Sequence, residues 1–321
     1  MTFTLPGKSD IETAADIVYA AMPPTPQYQW QQISDALGAQ VWLKHENHTP
    51  TGAFKVRGGL VYMHELQRRL PQVTGVISAT RGNHGQSVAF AVRRCGLAAT
   101  IVVPHGNSQE QNAAMRALGA KLIEHGSEFQ ESREYAIALA EEQRLHMIPS
   151  FHQDLVRGVA TYWMELFAAQ PELDLVYVPI GQGSGICAAI AARNALGLST
   201  RIIGVVSSHA LGYKLSFEQR RKIESPVSTQ IADGMACRVP DDASLQIVLQ
   251  YADDVVAVND DAVRAAMKLL FTATHNVAEG AGAASLAAAI QAGAAIRGLK
   301  VGIPVSGGNV DHQTFAQILQ S

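Results

Sequence analysis

Residues 176–194 read VYVPIGQGSGICAAIAARN: an apolar run rich in β-branched residues, a loop with glycine at 181, 183 and 185, then an alanine-rich helical pattern. A strand that turns this sharply into a helix is the repeating unit of an open α/β sheet. The same alternation recurs on both sides. From 75 onward come strand GVISA, helix QSVAFAVRRCG, strand ATIVVP, helix SQEQNAAMRALG, strand KLIEHG and helix FQESREYAIALAEEQRL. Helix VATYWMELFAA precedes the quoted stretch, strand RIIGVVSS follows it, and VGIPVS stands near the end. Helical crossovers impose parallel neighbours, so the fold class is α/β with two doubly wound open sheets. The turn region at 146–158 separates the two blocks, and the first 50 residues must pack on one of them. This predicts a small domain over 55–148 within a larger one formed by 1–54 and 149–321. The Ala/Gly-rich stretch 278–298 predicts a closely packed helix. Ligands of such sheets sit at the carboxyl ends of the strands.

A chain of 321 residues can bury a substantial core, with about 75% of its unfolded surface removed from water. Its 25 Lys plus Arg against 28 Asp plus Glu give a net charge of −3, with no basic stripe for nucleic acid and no like-charge tail. A small-molecule function is therefore expected. The start, MTFTLPGKSD, lacks the regions of a secretory signal, and no run of about 18 apolar residues is present, so a cytoplasmic protein is expected. Cys95, Cys187 and Cys237 are odd in number and far apart, which argues against a disulfide framework or a CxxC site and reads as buried thiols.

Three loops follow strand ends. In Gly181–Gly185 small residues and a helix N-terminus suit a phosphate, although a merely tight strand-to-helix turn would look the same. A dinucleotide site fits poorly, because the third glycine comes too early for GxGxxG and the next strand ends in VVSSH without a carboxylate. In ISATRGNHGQS, strand GVISA runs into Thr80, Arg81, Asn83 and His84 before a helix opening near Gln86, which suits a carboxylate or phenolic oxygen or is an ordinary polar cap. The third is IPVSGGNVD, with Ser306 at the strand end. In TGAFKVRG (51–58), Lys55 is either a surface charge or a nucleophile aimed into a pocket.

Other residues carry less. His45, Glu46 and His48 suggest a metal cluster, but an extended VWLKHEN run puts the two histidines on opposite faces. Asp253 and Asp254 read as a solvated turn, with Asn259 or Asp260 capping the next helix. Ser150, Phe151 and His152 either border a ligand or form a plain loop.

The ordered set TGAFKVRG, ATRGNHGQ, PIGQGSG, IADG and SGGNVD resembles the threonine dehydratase and serine racemase family of pyridoxal-phosphate enzymes, which have the tryptophan synthase β-type fold (PLP fold type II). The resemblance spans roughly residues 20–312. It implies that Lys55 forms the Schiff base with pyridoxal 5'-phosphate, Phe54 packs on the ring, and Gly234 faces it from the other side. It further implies that Asn83 bonds the phenolic oxygen, that Gly181, Gln182, Gly183, Ser184 and Gly185 hold the phosphate, and that Ser306 faces the pyridine nitrogen. Thr80, Arg81, Asn83 and His84 then belong to the loop receiving the substrate carboxylate. The resemblance also places Glu279 near the ring in support, while Cys237, three residues after Gly234, either faces the substrate or is an inert buried thiol, and Ser150 either borders the substrate or belongs to a plain loop. The implied activity is an ammonia-lyase that converts a β-hydroxy-α-amino acid of the threonine or serine type to a 2-oxo acid and ammonia. Alternatives are a dehydratase for 3-hydroxyaspartate, phenylserine or a hydroxyectoine-derived substrate, a β-replacement synthase, or a cofactor-binding protein without turnover. Relatives imply a homodimer.

Departures from the family pattern matter too. The usual four-glycine phosphate loop here carries Gln182 and Ser184, so Gln182 must turn its side chain away. Arg81 stands where racemases have a proton-transferring serine, which disfavours racemisation. The positions of the family's divalent-metal carboxylates match Val206 and Gly212, so no metal is expected. Nothing past residue 312 is long enough for a regulatory domain, so inhibition by isoleucine is not expected.

Overall fold

A computed structural model describes residues 3–321. In chain order the first elements are α1 (Lys8–Tyr19), β1 (Gln27–Gln29), α2 (Gln31–Leu37), β2 (Gln40–His45), α3 (Lys55–Arg69), β3 (Gly75–Ala79), α4 (Asn83–Arg94), β4 (Ala98–Val103), α5 (Gln109–Ala117), β5 (Lys121–Glu124), α6 (Phe129–Gln143) and β6 (His146–Met147). There follow α7 (Gln153–Ala169), β7 (Leu175–Pro179), α8 (Ser184–Ala195), β8 (Arg201–Ser207), α9 (Gly212–Gln219), α10 (Asp242–Tyr251), β9 (Asp254–Val258), α11 (Asp260–Thr274), α12 (Gly280–Ala292), β10 (Lys300–Val305) and α13 (His312–Gln320).

The strands form a six-stranded sheet in the order β1-β2-β10-β7-β8-β9 and a four-stranded sheet in the order β5-β4-β3-β6. All pairings are parallel except β1 on β2. Helices cover both faces of the larger sheet, and successive residues show it. Leu175 and Tyr177 pack into one core with Leu286 and Met267, while Val176 and Val178 pack into another with Trp163 and Ile186. The smaller sheet divides likewise, Val76 and Ile101 facing one cluster and Ile77 and Val102 the other. Burial on both faces is why these strands read as unbroken apolar runs. Helix α12 is lined by buried alanines at 281, 283, 284, 287, 288 and 289, whose small side chains let the sheet approach its axis.

Several boundaries differ from the sequence expectation. Helix α4 opens at Asn83 rather than near Gln86, because Gln86 is where its N–H first reaches back a turn, to Gly82 O at 3.2 Å, and the preceding residues already follow helical geometry. The supposed turn region 146–158 contains β6 and the first six residues of α7, which is capped by His152 Nδ1 accepting the Asp154 N–H at 3.1 Å. His45 and His48 do not lie on opposite faces. The strand ends at His45 and Glu46–His48 form a single 3-10 turn, which brings the two rings to 5.2 Å. Asn259 is the cap of α11, accepting the Ala262 N–H at 2.8 Å, whereas Asp260 accepts from Thr229 Oγ1 and Gln230 N. Among the described residues no helix is long and apolar enough to cross a membrane, and no cluster of three His, Cys, Asp or Glu side chains could hold a metal ion.

Candidate active site

The loops after β3, β7 and β10, the start of α3, the segment 230–237 and the start of α12 converge on one cavity of about 240 Å³. Lining it are Phe54, Lys55, Thr80, Arg81, Asn83, His84, Ser150, Gln182, Ser184, Cys237, Glu279 and Ser306, with the glycines at 181, 183, 185 and 234, whereas Phe151 stacks on Phe3 and His152 caps α7, and neither lines the cavity.

Lys55 is the first residue of α3, and its position is set from two sides. Phe54 N–H donates to Ser306 O at 3.0 Å, and Ala53 bridges Gly307, so the residues entering α3 are fixed to the end of β10. Two residues further on, the buried Arg57 guanidinium grips Glu46 Oε2 at 2.7 Å and Oε1 at 2.9 Å, and Glu165 Oε1 at 2.6 Å. Lys44 donates to Glu165 Oε2 at 2.5 Å and Thr25 to Glu46 Oε1 at 2.5 Å. Two cations thus meet two carboxylates, which is what burial of such charges demands. The Lys55 amine itself lies 3.2 Å from Ser184 Oγ and 5.1 Å from the Phe54 ring centre, with no carboxylate bonded to it. Burial lowers its pKa from 10.5 to about 8, against a smaller upward pull from Glu279.

The 181–185 loop is shaped to present backbone. Gly183 has φ +98°, and a Cβ there would stand 2.5 Å from Ser244 Oγ. Tyr213 OH donates to Gln182 O at 3.1 Å and braces the loop from behind. The N–H groups of Gly181 to Gly185 meet no acceptor among the described residues. The Gln182 amide turns onto Cys237 Sγ at 3.4 Å. Cys237 is buried, and its thiol is pushed up to about 12, so it is not a thiolate. Ser306 is buried, with its hydroxyl 3.4 Å from Ala281 O.

On the opposite wall, Asn83 Nδ2 donates to Glu279 Oε1 at 2.6 Å, and its Oδ1 accepts from Asn309 Nδ2 at 2.7 Å. Burial raises the Glu279 carboxyl to about 7, and the nearby Asp233 charge adds to the rise. Thr80 Oγ1 accepts the N–H groups of Gly82 at 3.0 Å and Gly85 at 3.3 Å, and so shapes the turn. His84 is held neutral, with its pKa lowered to about 3 by burial and by Lys55, and its Nε2 has no partner among the described residues. Arg81 reaches the rim, with Nε 3.6 Å from Asp233 Oδ1. Sequence reasoning missed Ser108, Gln111, Asn309 and Asp311, which also line the cavity. They tie α5 to the segment before α13: Ser108 Oγ donates to Asp311, and Gln111 Nε2 to Asn309 O at 3.1 Å. Asn309 lies in SGGNVD and was within reach; an exposed-looking SQEQ run gave no signal.

A family model described as pyridoxal-phosphate dependent enzyme matches residues 18–307. The chain belongs to that family. It is 32% identical over 291 residues to an L-threonine ammonia-lyase of Thermotoga maritima, covering 89% of this chain and 71% of that one. It is 33% identical to the biosynthetic L-threonine dehydratase of Salmonella typhimurium over 92% of its own length, but spans only 58% of that enzyme. Among solved structures, maize serine racemase superposes with a TM-score of 0.91 at 28% identity, covering 99% of this chain and 98% of the other. The fold is accordingly that of the tryptophan synthase β-type enzymes, and pyridoxal phosphate is the cofactor.

The residues present fit that cofactor. Five unclaimed N–H groups in a loop without a carboxylate, at the N-terminus of α8, suit a phosphate dianion. A buried lysine amine within reach of the same loop suits its aldehyde.

Proposed function

We propose that the chain is an ammonia-lyase that converts a β-hydroxy-α-amino acid of the threonine or serine type to a 2-oxo acid and ammonia. The observation that carries this reading is the Lys55 amine: buried, with a pKa lowered to about 8, and 3.2 Å from Ser184 of the N–H-rich loop. When bound, the cofactor supplies an electron-accepting ring conjugated to the substrate's amino group.

In this reading Gly181, Gln182, Gly183, Ser184 and Gly185 bind the phosphate through their backbone, Phe54 and Gly234 flank the ring, and Asn83 faces its oxygen. The substrate carboxylate takes the free N–H groups at the start of α4, with Thr80 holding the turn and His84 neutral beneath it. Lys55 holds the aldehyde between turnovers and, once displaced, takes the α proton onto Nζ. A neutral amine is required for both, and burial provides it. Ser306 presents a hydroxyl, not a carboxylate, to the ring nitrogen. Such a partner would not fix a proton on that nitrogen, so the bound cofactor would favour β-elimination over transamination. Glu279, bonded to Asn83, keeps that amide oriented, and Ser150 and Cys237 border the substrate. We assign residues 55–148 to a small domain and residues 1–54 with 149–321 to a large cofactor-binding domain, and expect a cytoplasmic homodimer.

The test is release of 2-oxo acid and ammonia by the purified, cofactor-loaded protein from a panel of threonine, serine, 3-hydroxyaspartate and phenylserine. Bound cofactor without keto acid from any member would refute the ammonia-lyase reading.

A further inference from the structure

Arg81 is the one arginine lining the cavity among the described residues. Its guanidinium forms no hydrogen bond with them, and its charged partner, Asp233 Oδ1, lies 3.6 Å from Nε. The two side chains are 40% and 59% exposed, and a rim pair of that length restrains little. Arg81 is therefore not there to hold the fold. Nor does an α-carboxylate need it. Thr80 Oγ1 already engages the N–H groups of Gly82 and Gly85, which leaves those of Asn83 and His84 free at the first turn of α4.

We infer that Arg81 is a specificity residue, and that the substrate's side chain continues past Cβ to an oxygen acceptor that this guanidinium reads. This rests on the ammonia-lyase reading of the same cavity. Threonine's methyl group can use none of the five N–H donors of a guanidinium, whereas an amide carbonyl or a carboxylate one atom further on can. Asp233 bears on which of the two it is. It balances Arg81's charge, so a neutral carbonyl accepts from the Nη donors with the pair intact, while a carboxylate must compete with Asp233 for the same cation.

The experiment uses cofactor-loaded protein and amino acids that lack a β-hydroxyl, so that binding is read apart from turnover. Dissociation constants for alanine, asparagine and aspartate are measured by absorbance titration in the parent, in Arg81→Ser and in Asp233→Asn. Arg81→Ser should weaken asparagine, aspartate or both by roughly tenfold or more relative to alanine, the value of one charge-assisted hydrogen bond. If the acceptor is a carboxylate, Asp233→Asn should tighten aspartate relative to asparagine; if it is an amide, asparagine should bind the parent better than aspartate. Equal changes for all three ligands in Arg81→Ser would overturn the inference. Selective loss of asparagine or aspartate binding with no keto acid from any hydroxy amino acid would instead overturn the ammonia-lyase reading and leave Arg81's role standing.

Discussion

The ionisation of Lys55 can be measured directly in the cofactor-free protein, because only a neutral amine captures an aldehyde. With the pKa lowered from 10.5 to about 8, about a tenth of the molecules carry a free amine at pH 7, against roughly three in ten thousand for an unperturbed lysine. The difference is about 300-fold in the reactive fraction. The neutral form is complete above the lowered pKa and is lost as pH falls through about 8. The rate of recombination with pyridoxal phosphate, followed by absorbance in a stopped-flow instrument, should therefore rise about tenfold per pH unit up to that point and then level off. Glu279 pulls the Lys55 pKa upward, so Glu279→Gln should move the midpoint further down, while the amide oxygen still accepts from Asn83 Nδ2. A midpoint near the ordinary lysine value of about 10.4 would show that the amine is solvated and refute the argument from burial. A midpoint that rises in Glu279→Gln would show that the carboxyl does not act on Lys55 as a charge.

Lys55→Ala is expected to lose turnover and the visible absorbance of the lysine-bound cofactor; retention of both would end the assignment. Ser306→Asp should divert turnover towards transamination, read as the ratio of the amine form of the cofactor to keto acid, and an unchanged ratio would remove Ser306 from the ring nitrogen. Gly183→Ala forces a side chain onto a backbone at φ +98° and within 2.5 Å of Ser244 Oγ, so pyridoxal phosphate affinity should fall by about 1–3 kcal/mol, measured by equilibrium dialysis. Arg57→Met leaves Glu46 buried without a cation and Glu165 with Lys44 alone, and should cost roughly 3–5 kcal/mol, seen as a lower denaturant midpoint; a midpoint within error of the parent would mean that the ion set is not electrostatically coupled.

Much of this molecule is legible in its sequence, for physical reasons that also mark where legibility stops. Strands such as Leu175–Pro179 are buried on both faces and leave an unbroken apolar signature, and the loop that follows this one carries glycine where a side chain has no room, as at Gly183 with φ +98° against Ser244. Sheet order is not local: β10 lies between β2 and β7, and no residue of Lys300–Val305 encodes those neighbours by itself. Charges mislead most. Lys44, Glu46, Arg57 and Glu165 come from β2, the turn after it, α3 and α7, and each alone has the composition of a surface residue. Glu46 even stood between two histidines as a possible metal ligand, yet its carboxylate is wholly committed to Arg57 and Thr25. Their burial is tolerable only because they meet, two positive and two negative, and that meeting exists only in the folded chain. Since Arg57 lies half a turn beyond Lys55, the same set that is invisible in the sequence fixes the start of the helix on which the most legible residue of the site is carried.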